Sequence, residues 1–301
     1  MKKMLFVYNP KAGRGQIHGA LSKIIDVFVK AGFEVTIHPS QEFRDAYQKV
    51  LDYADGAYDM VACSGGDGTL DEVVTAMMKR NEKSVIGFIP AGSTNDFANS
   101  LKLPTNILEA ANTVVNGQIF PCDVGKFNEG YFVYVAAFGL FTDVSYQTTQ
   151  EAKNLLGHLA YVLEGAKRVF NVPSYKVRLT YDDGIIEDEF ILGMVTNSRS
   201  VGGFRQIIGK NVVFDDGVFE VTLVKTPKNA VELQETLMAV ITRQIDSKHV
   251  LTFKSAHMEF ESEGEVPWTL DGEDGGRHKN VVIQNLHREL KIMIPAEKDK
   301  A

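Results

Sequence analysis

Short apolar runs alternate with amphipathic stretches over about the first 120 residues of the chain, and this alternation constrains the fold more than any other feature. Apolar residues recur at helical spacing between the runs, first after residue 20 and again after residue 69. The runs themselves have the length of strands: Met4–Tyr8, Glu34–His38, Met60–Cys63 and Val85–Ile89. Strands and helices in alternation indicate crossover connections on a parallel sheet. The sequence therefore predicts a three-layer α/β domain.

The pattern changes from about Tyr131 onward. A long helix is predicted from Glu151 to Phe170, and its apolar stripe either packs on the domain or covers a ligand. Short β-type runs follow, and the turn signals at Tyr181–Gly184 and Asp215–Gly217 predict antiparallel hairpins. A shorter helix is predicted at Ala230–Arg243. This second part should therefore be mainly antiparallel β-structure.

Chain length and composition are consistent with this division. The 301 residues, of which 44% are hydrophobic and 24% are charged, are typical of a globular protein. A single core rarely grows beyond about 250–300 residues. We therefore predict an α/β domain over residues 1–128 and a β-rich domain over 129–301, with the last strand (about 288–296) as an element that returns to the first domain.

Several classes of protein are disfavoured. A formal net charge of -7 argues against a nucleic-acid binder, and it should repel anionic membranes unless a local basic patch overrides it. No apolar stretch approaches the roughly 18 residues of a spanning helix. The run Met4–Tyr8 is too short for a signal peptide, and Cys63 and Cys122 have the character of buried thiols. A cytoplasmic protein is expected.

Three glycine-containing loops follow three of the predicted strands: Asn9–Gly15, Ser64–Thr69 and Pro90–Phe97. In open α/β sheets, ligands bind outside the carboxyl ends of the strands, where these loops lie. Glycines let backbone N–H groups approach a phosphate, and a following helix adds its positive end. Asp67 would repel bare phosphates, so its presence suggests a bridging Mg²⁺; a tight turn closed by an Asp side chain is the alternative.

More familiar nucleotide and metal motifs are absent. The chain contains no G-x-x-x-x-G-K-[ST] loop, and the run that begins at Gly13-Arg14-Gly15 has His18 where a dinucleotide fingerprint needs its third glycine. The seven histidines are scattered, and no H-E-x-x-H or clustered cysteine pattern occurs. A Rossmann dehydrogenase and a zinc enzyme are therefore disfavoured.

Taken together, the three loops resemble those of the bacterial diacylglycerol kinase-like lipid kinases, relatives of the eukaryotic diacylglycerol and sphingosine kinase catalytic domains. The resemblance extends nearly end to end, through Asp123-Val124-Gly125, Phe214–Phe219 and Leu270–Glu273. It implies an N-terminal nucleotide-binding domain and a C-terminal β-sandwich-like domain, with the active site in the cleft between them. It also implies ATP-dependent phosphorylation of the primary hydroxyl of diacylglycerol, with peripheral contact at the membrane surface.

The same resemblance implies roles for individual residues. Asp67 would organise the catalytic magnesium, with Asp123 as a link in its water network, and Glu273 would be the general base, with the second catalytic carboxylate Asp271 beside it. A structural magnesium would be held by the Asp216 carboxylate and the main-chain oxygens of Val213 and Val218. The implied ATP contacts are Asn9, Pro10, Lys11, Ala12, Gly13, Ser40, Gly65, Gly66, Asp67, Gly68, Thr69, Leu70, Asp71 and Ser93.

The chain departs from the family pattern in two places. Ser93 stands where a threonine is usual, which keeps the hydroxyl, and Lys11-Ala12 stands where a small hydroxyl residue often precedes Gly13. In the mechanism that these residues suggest, Lys11 or Arg14 neutralises developing phosphate charge.

Alternatives remain at this point. Another lipid alcohol, such as a sphingoid base, is an alternative substrate. An NAD kinase-like enzyme shares the glycine-aspartate-glycine element but is disfavoured by Asn95-Asp96-Phe97 and Asp271-Gly272-Glu273. A catalytically silent nucleotide- or lipid-binding regulator is disfavoured by the retention of Asp67, Glu273 and all three loops. Asp271-Gly272 is also a strong hairpin-turn signal without any catalytic meaning. Oligomeric state is not fixed, and a homodimer through edges of the β-rich domain is one alternative.

Overall fold

The computed structural model describes residues 1–139, 173–198, 200–201, 204–205, 212–229, 231–233, 235–236, 239 and 248–296. The predicted helix from Glu151 to Phe170 lies outside them. Within the predicted stretch Ala230–Arg243, the described residues 231–233, 235–236 and 239 are helical. In the described part of the chain, no helix has the length and hydropathy needed to cross a bilayer. The chain forms two compact units, one of Met1–Asp123 with the segment that begins at Arg288, and one of Val124–His287.

The first unit is an α/β structure on a parallel sheet. Its strands are β1 (Lys2–Tyr8), β2 (Phe33–Pro39), β3 (Met60–Gly65) and β4 (Val85–Pro90). Its helices are α1 (Gln16–Lys30), α2 (Asp45–Asp52), α3 (Asp67–Met78), α4 (Asp96–Ser100) and α5 (Ile107–Asn116). The strands run in the order β2-β1-β3-β4, and every neighbouring pair is parallel. Crossover helices between parallel strands explain this arrangement.

Helices cover both faces of this sheet. On β1, the side chains of Met4 and Phe6 join a core with Ile24 and Phe28 of α1 and with residues of α5. The intervening residue Leu5 is equally buried and points to the opposite face, because successive side chains of a strand alternate. The helices α2 and α3 pack against each other, and α3 packs on β3. The predicted three-layer α/β domain is confirmed.

The second unit is antiparallel. Its strands are β5 (Gln118–Phe127), β6 (Gly130–Phe132), β7 (Val135–Gly139), β8 (Tyr175–Tyr181), β9 (Gly184–Thr196), β10 (Ser200–Val201), β11 (Phe204–Arg205), β12 (Phe219–Lys225), β13 (Val250–Ser255), β14 (His257–Leu270) and β15 (Glu273–Ile294). Strand β5 begins in the first unit, and β15 ends there. The pairing runs β13-β12-β9-β7-β14-β15, and β8 pairs with both β9 and β14. The β-rich character predicted for this part of the chain is confirmed.

Aromatic side chains fill the core of the second unit. The indole of Trp268 lies 5.1 Å from the ring of Phe127, 4.8 Å from Phe138 and 5.2 Å from Phe260, measured between ring centroids. Only 3% of Trp268 is exposed. The single tryptophan is therefore a core residue rather than a surface anchor.

Two local predictions meet different outcomes. The hairpin at Tyr181–Gly184 is confirmed, because Tyr181 of β8 is the register partner of Gly184 of β9. At Asp215–Gly217 the prediction of a hairpin was wrong: the turn is present, but residues 212–214 before it lie outside any strand, and β12 after it pairs with β13 and β9. Two acidic residues followed by glycine specify a turn, but not which strands it joins.

Candidate active site

The three glycine loops contact one another at the carboxyl ends of β1, β3 and β4. The N–H of Ala91 donates a hydrogen bond to the carbonyl of Gly65 at 2.7 Å. Gly13 has a φ of +57°, and a Cβ atom at this position would lie 2.2 Å from the Ala91 carbonyl oxygen. A Cβ on Gly92 would lie 2.5 Å from the Cα of Gly66. Only glycine permits these approaches, so the loops form one surface.

The first loop begins with a turn closed by its own asparagine. The N–H of Asn9 donates to the carbonyl of Ser64 at 2.9 Å, which ties the loop to β3. Asn9 Oδ1 accepts the N–H of Lys11 at 2.9 Å. The side-chain oxygen of Asn9 is therefore used within its loop, whereas the Lys11 side chain is exposed. Pro10, Ala12 and Gly13 are partly exposed beside it.

The second loop leads into the N-terminus of α3. Gly66 is the N-cap residue, and its carbonyl accepts the N–H groups of Thr69 and Leu70 at 3.1 and 3.2 Å. The first N–H groups of a helix have no partner within it, and the helix dipole adds positive potential there. The side chains of Thr69 and Leu70 are buried, which leaves the backbone of residues 65–68 and the Asp67 carboxylate as the groups of this loop that a ligand could contact. Asp71 Oδ1 accepts the Thr75 hydroxyl within the helix at 3.3 Å.

Asp67 connects the second loop to the third. Its Oδ2 accepts the N–H of Asp96 at 3.2 Å, and its Oδ1 accepts the N–H of Phe97 at 3.4 Å. Burial raises the pKa of Asp67 to about 6, and the nearby charge of Asp96 adds to the increase, while the backbone N–H groups oppose it. A carboxylate that has lost solvent beside a second acidic group favours a cation in its vicinity.

The third loop is closed by Asn95, a residue to which the sequence assigned no role of its own. Asn95 Oδ1 accepts the Gly92 N–H at 2.9 Å, and its Nδ2 donates to the Gly92 carbonyl at 2.8 Å. Asn95 adopts a φ of +51° as the N-cap of α4, a conformation that asparagine tolerates better than most residues. Ser93 lies at the exposed tip between them. The spacing Gly-x-x-Asn was the available sequence signal.

Two buried hydroxyls flank the end of β1. Ser40 follows β2, and Ser64 is the penultimate residue of β3; both strands pair with β1, and Ser64 is the register partner of Tyr8. The Oγ atoms of both serines are buried and have no hydrogen-bond partner among the described residues. Such groups cost free energy unless something outside the chain satisfies them. Ser40 was implied as an ATP contact, whereas the side chain of Ser64 was not.

Asp123 is the last residue of the first unit before the chain leaves it. It is fully buried, and its Oδ1 accepts the N–H of Arg288 at 2.8 Å. Arg288 has a φ of +58°, a conformation that turns its N–H toward the carboxylate. This hydrogen bond joins the two parts of the first unit, because Asp123 ends the stretch Met1–Asp123 and Arg288 begins the second segment. A role for Asp123 in a magnesium water network remains a prediction.

In the second unit, Asp271 and Gly272 form the two-residue loop between β14 and β15. Both have positive φ, 52° and 88°, as a type I′ hairpin turn requires. The Asp271 carboxylate is buried and accepts three backbone N–H groups, from Val133 at 2.5 Å, from Tyr134 at 2.9 Å and from Val135 at 2.8 Å. Asp271 therefore fixes the hairpin to the segment before β7.

Glu273, the first residue of β15, follows this anchored turn and is exposed. The structure thus places the two carboxylates in different surroundings: Asp271 is saturated with backbone hydrogen bonds, and Glu273 faces solvent. Only the second is accessible for proton transfer to a ligand.

The carboxylate implied as a structural metal ligand has other partners. Asp216 Oδ2 lies 2.9 Å from Lys254 Nζ, and Asp216 Oδ1 accepts the N–H of Val218 at 3.3 Å. Val213 is exposed. Among the residues that the structure describes, no group of three or more His, Cys, Asp or Glu side chains could hold a metal ion.

Comparisons with known proteins match two successive parts of the chain to two families. Residues 3–127 match the family described as the diacylglycerol kinase catalytic domain, and residues 135–293 match the YegS C-terminal NAD kinase beta sandwich-like domain. A diacylglycerol kinase of Bacillus subtilis (strain 168) is 32% identical over 299 residues, which cover 99% of this chain and 98% of that protein. A diacylglycerol kinase of Staphylococcus carnosus (strain TM300) is 31% identical and covers 98% of this chain and 96% of its own.

Solved structures give the same result at the level of the fold. A crystal structure of a diacylglycerol kinase from Bacillus anthracis str. Sterne has a TM-score of 0.75 at 27% identity, with 97% of each chain covered. A second crystal structure from that organism has a TM-score of 0.81 at 30% identity and covers 97% of this chain and 95% of its own. The similarity therefore spans both units.

Proposed function

The chain belongs to the diacylglycerol kinase family of ATP-dependent lipid kinases, and we propose that its acceptor is the primary hydroxyl of diacylglycerol, which becomes phosphatidic acid. The chemistry fits this acceptor. The lipid oxygen forms a bond to the γ-phosphorus of ATP, the bond from that phosphorus to the β–γ bridging oxygen breaks, and ADP leaves. Because the acceptor resides in a bilayer, the enzyme must contact the membrane surface during turnover.

The observation that carries the nucleotide part of this proposal is the surface formed by the three loops of the first unit. It combines the N-terminus of α3 with the backbone of the glycine loops that follow β1 and β4, and the buried hydroxyls of Ser40 and Ser64 lie beneath it. Backbone N–H groups at a helix N-terminus bind phosphate, and hydroxyls satisfy further oxygen atoms. We assign this surface to the triphosphate of ATP.

Magnesium fits the same surface. Burial and the charge of the neighbouring Asp96 both destabilise the charged form of the Asp67 carboxylate. A divalent cation bound beside this carboxylate would offset both effects. We propose that Asp67 holds Mg²⁺ near the phosphates. When bound, the ion would neutralise charge that develops on the transferred phosphoryl group.

We assign the proton-accepting role to Glu273 and a positioning role to Asp271. Glu273 is exposed at the start of β15, so its carboxylate can reach a ligand and accept the proton of the lipid hydroxyl. Asp271 fixes the two-residue turn that precedes Glu273 through three backbone hydrogen bonds. The hairpin interpretation of this segment and its catalytic interpretation are therefore compatible.

Substitutions of both carboxylates test the proposal in the full-length enzyme. Glu273→Gln should lower kcat by about 10²–10⁴ without a change in Tm, because general-base catalysis typically contributes that factor. Asp67→Ala should abolish turnover while the protein remains folded. The matched control is Glu265→Gln, which removes another exposed carboxylate of the same unit and should leave kcat unchanged.

The measurement is transfer of radiolabel from γ-labelled ATP to diacylglycerol, a sphingoid base and NAD, offered side by side in mixed micelles, with mass spectrometry of the products. Labelled phosphatidic acid is the expected product. Preferential labelling of the sphingoid base or NAD would replace the substrate assignment. Binding of ATP without transfer to any acceptor would instead favour a regulator, and full activity of Glu273→Gln would remove the assigned base.

A further inference from the structure

The turn that precedes β12 is in contact with a positively charged side chain of the same unit, that of Lys254 on β13. Lys254 Nζ lies 2.9 Å from Asp216 Oδ2, while Asp216 Oδ1 accepts the Val218 N–H at 3.3 Å. Asp216 is the carboxylate that the family resemblance assigns to a structural magnesium. Each of its two oxygens therefore already accepts a hydrogen bond from a donor of this unit. A metal ion bound to this carboxylate would lie beside the Lys254 ammonium and would compete with it for the same oxygen atom.

Lys254 also serves a second carboxylate. It lies on β13 as the register partner of Glu220 on β12, and its Nζ is 3.1 Å from Glu220 Oε1. The Glu220 side chain is only 9% exposed, and its oxygens lack a partner with hydrogen-bond geometry among the described residues. A buried carboxylate is costly without a counter-ion, so the Lys254 ammonium, held between Glu220 and Asp216, provides most of the compensation.

The donor set does not fit a divalent cation as the chain is folded. Magnesium requires near-octahedral oxygen ligands about 2.0–2.1 Å away, and an ammonium adjacent to the same carboxylate repels it. Val213, the first of the implied main-chain ligands, is an exposed residue.

We propose that the Lys254 ammonium takes the place of a structural divalent cation at this turn, so that Asp216 and Glu220 are held by an internal ion pair and the site binds no metal. The inference concerns the second unit alone. It holds whichever lipid alcohol the enzyme phosphorylates.

Thermal unfolding of the full-length, nucleotide-free protein after treatment with a chelator tests the proposal. Millimolar MgCl₂ or CaCl₂ should change the Tm of wild type and the Tm of Asp216→Asn by the same amount, because no metal ion binds at Asp216. Lys254→Met should lower Tm by about 3–8 °C, because Glu220 then stays buried without its counter-ion. Added magnesium should restore part of that loss, because the two carboxylates become available to the ion.

Two control variants separate charge from side-chain loss. Lys254→Arg keeps the positive charge and should retain a Tm near that of the wild type. Lys176→Met removes a lysine of β8 that contacts Glu263 at 3.5 Å on the open surface, where ion pairs contribute little, and should leave Tm unchanged.

Three results would overturn the proposal. In the first, magnesium raises the Tm of wild type but not that of Asp216→Asn. In the second, Lys254→Met is as stable as Lys176→Met, and in the third, magnesium does not alter the Tm of Lys254→Met. If Lys254→Met does not fold, elemental analysis of wild type purified without chelator decides. Absence of bound magnesium or calcium supports the proposal, and one ion per chain that is lost in Asp216→Asn contradicts it.

Discussion

Asp67 combines two tasks in one carboxylate. Its oxygens bind the N–H groups at the start of α4, which holds the second and third glycine loops together. The same carboxylate has a pKa raised to about 6 by burial and by the charge of Asp96. A residue that only closed a turn would gain nothing from an acidic neighbour. The arrangement is better suited to receiving a cation.

At this scale, the contact between Gly13 and Ala91 gives a direct prediction. Gly13→Ala should raise the KM for ATP by about tenfold and lower stability by about 1–3 kcal/mol, because the new Cβ meets the Ala91 carbonyl oxygen and a non-glycine residue at positive φ is strained. Kinetics and urea unfolding of the purified variant provide the measurement.

Gly19→Ala is the matched control, since Gly19 lies in α1 and a Cβ there has no atom within 4 Å. This change should leave the KM unaltered and stabilise the helix by up to about 1 kcal/mol. If Gly13→Ala behaved like Gly19→Ala, the close packing of the first and third loops would not matter for nucleotide binding.

Residues differ in how far the sequence reveals their roles. The glycine loops could be predicted, because glycine marks close backbone approach and strands mark where loops meet. The position of Ser64 could not be predicted, because it depends on a hydroxyl that lacks a partner among the described residues. For Asn95 the spacing Gly-x-x-Asn was a signal, but its conformation at positive φ was not readable from the sequence. The surroundings of Asp271 were equally hidden, since its three N–H donors lie more than 130 positions away in the chain.

Among the larger elements, the hairpin of β8 and β9 is fixed at its turn by a carboxylate. Asp182 Oδ2 accepts the N–H of Ala256 at 2.6 Å and the hydroxyl of Ser255 at 3.0 Å. The Ala256 N–H is the main cause of a lowered pKa for Asp182, with the Ser255 hydroxyl adding to it. The turn is thereby joined to the break between β13 and β14.

This bond should make part of the stability depend on pH. A carboxyl group whose pKa is lower in the folded state contributes stability above its unfolded pKa of about 3.9, and that contribution is lost as the pH falls through the folded pKa. Because Asp182 is exposed, solvent screens this contribution, so Asp182→Asn should cost less than about 1 kcal/mol at neutral pH, and the deficit should shrink below about pH 4.

Urea unfolding across this pH range measures the effect. Asp183→Asn, at the neighbouring exposed position of the same turn, should follow the wild-type curve at every pH. A deficit of Asp182→Asn that stays constant into acid would mean that its carboxylate charge is not involved.

Element boundaries were predictable where periodicity is strong and less so where long-range contacts decide. The strands of the first unit lie where the apolar runs predict them, lengthened by one to two residues. Farther along the chain, the separate runs Val281–Ile283 and Leu290–Ile294 belong to one strand, β15, which continues through the positive φ of Arg288. The bond from the Arg288 N–H to Asp123 favours that conformation, and no local pattern predicts it.

For the whole molecule, the main feature is that the first unit is not continuous in sequence. Its last segment begins at Arg288, and Ile292 there pairs in parallel with Ile86 of β4. Leu290, Ile292 and Met293 are buried in this unit. Glu289 adds an ion pair with Lys83.

A chain that ends at His287 should consequently lose the fold of its first unit. Three large apolar side chains contribute about 1.5–3 kcal/mol each, which together approaches the entire stability of a typical domain. We expect loss of ATP binding by calorimetry and of helical signal by circular dichroism.

Truncation after Ala296 keeps the segment and provides the control, which should match the full-length protein in both measurements. Wild-type ATP affinity in the chain that ends at His287 would show that the returning segment is dispensable.

The same discontinuity has a consequence for protein synthesis. A ribosome makes the chain from its N-terminus, so β1 to β4 emerge long before the segment that completes their sheet. At about 5–20 residues per second, translation of Val124–His287 takes on the order of 10–30 s. During that interval β4 presents an unpaired edge, which is a template for pairing with other chains until the segment from Arg288 is made.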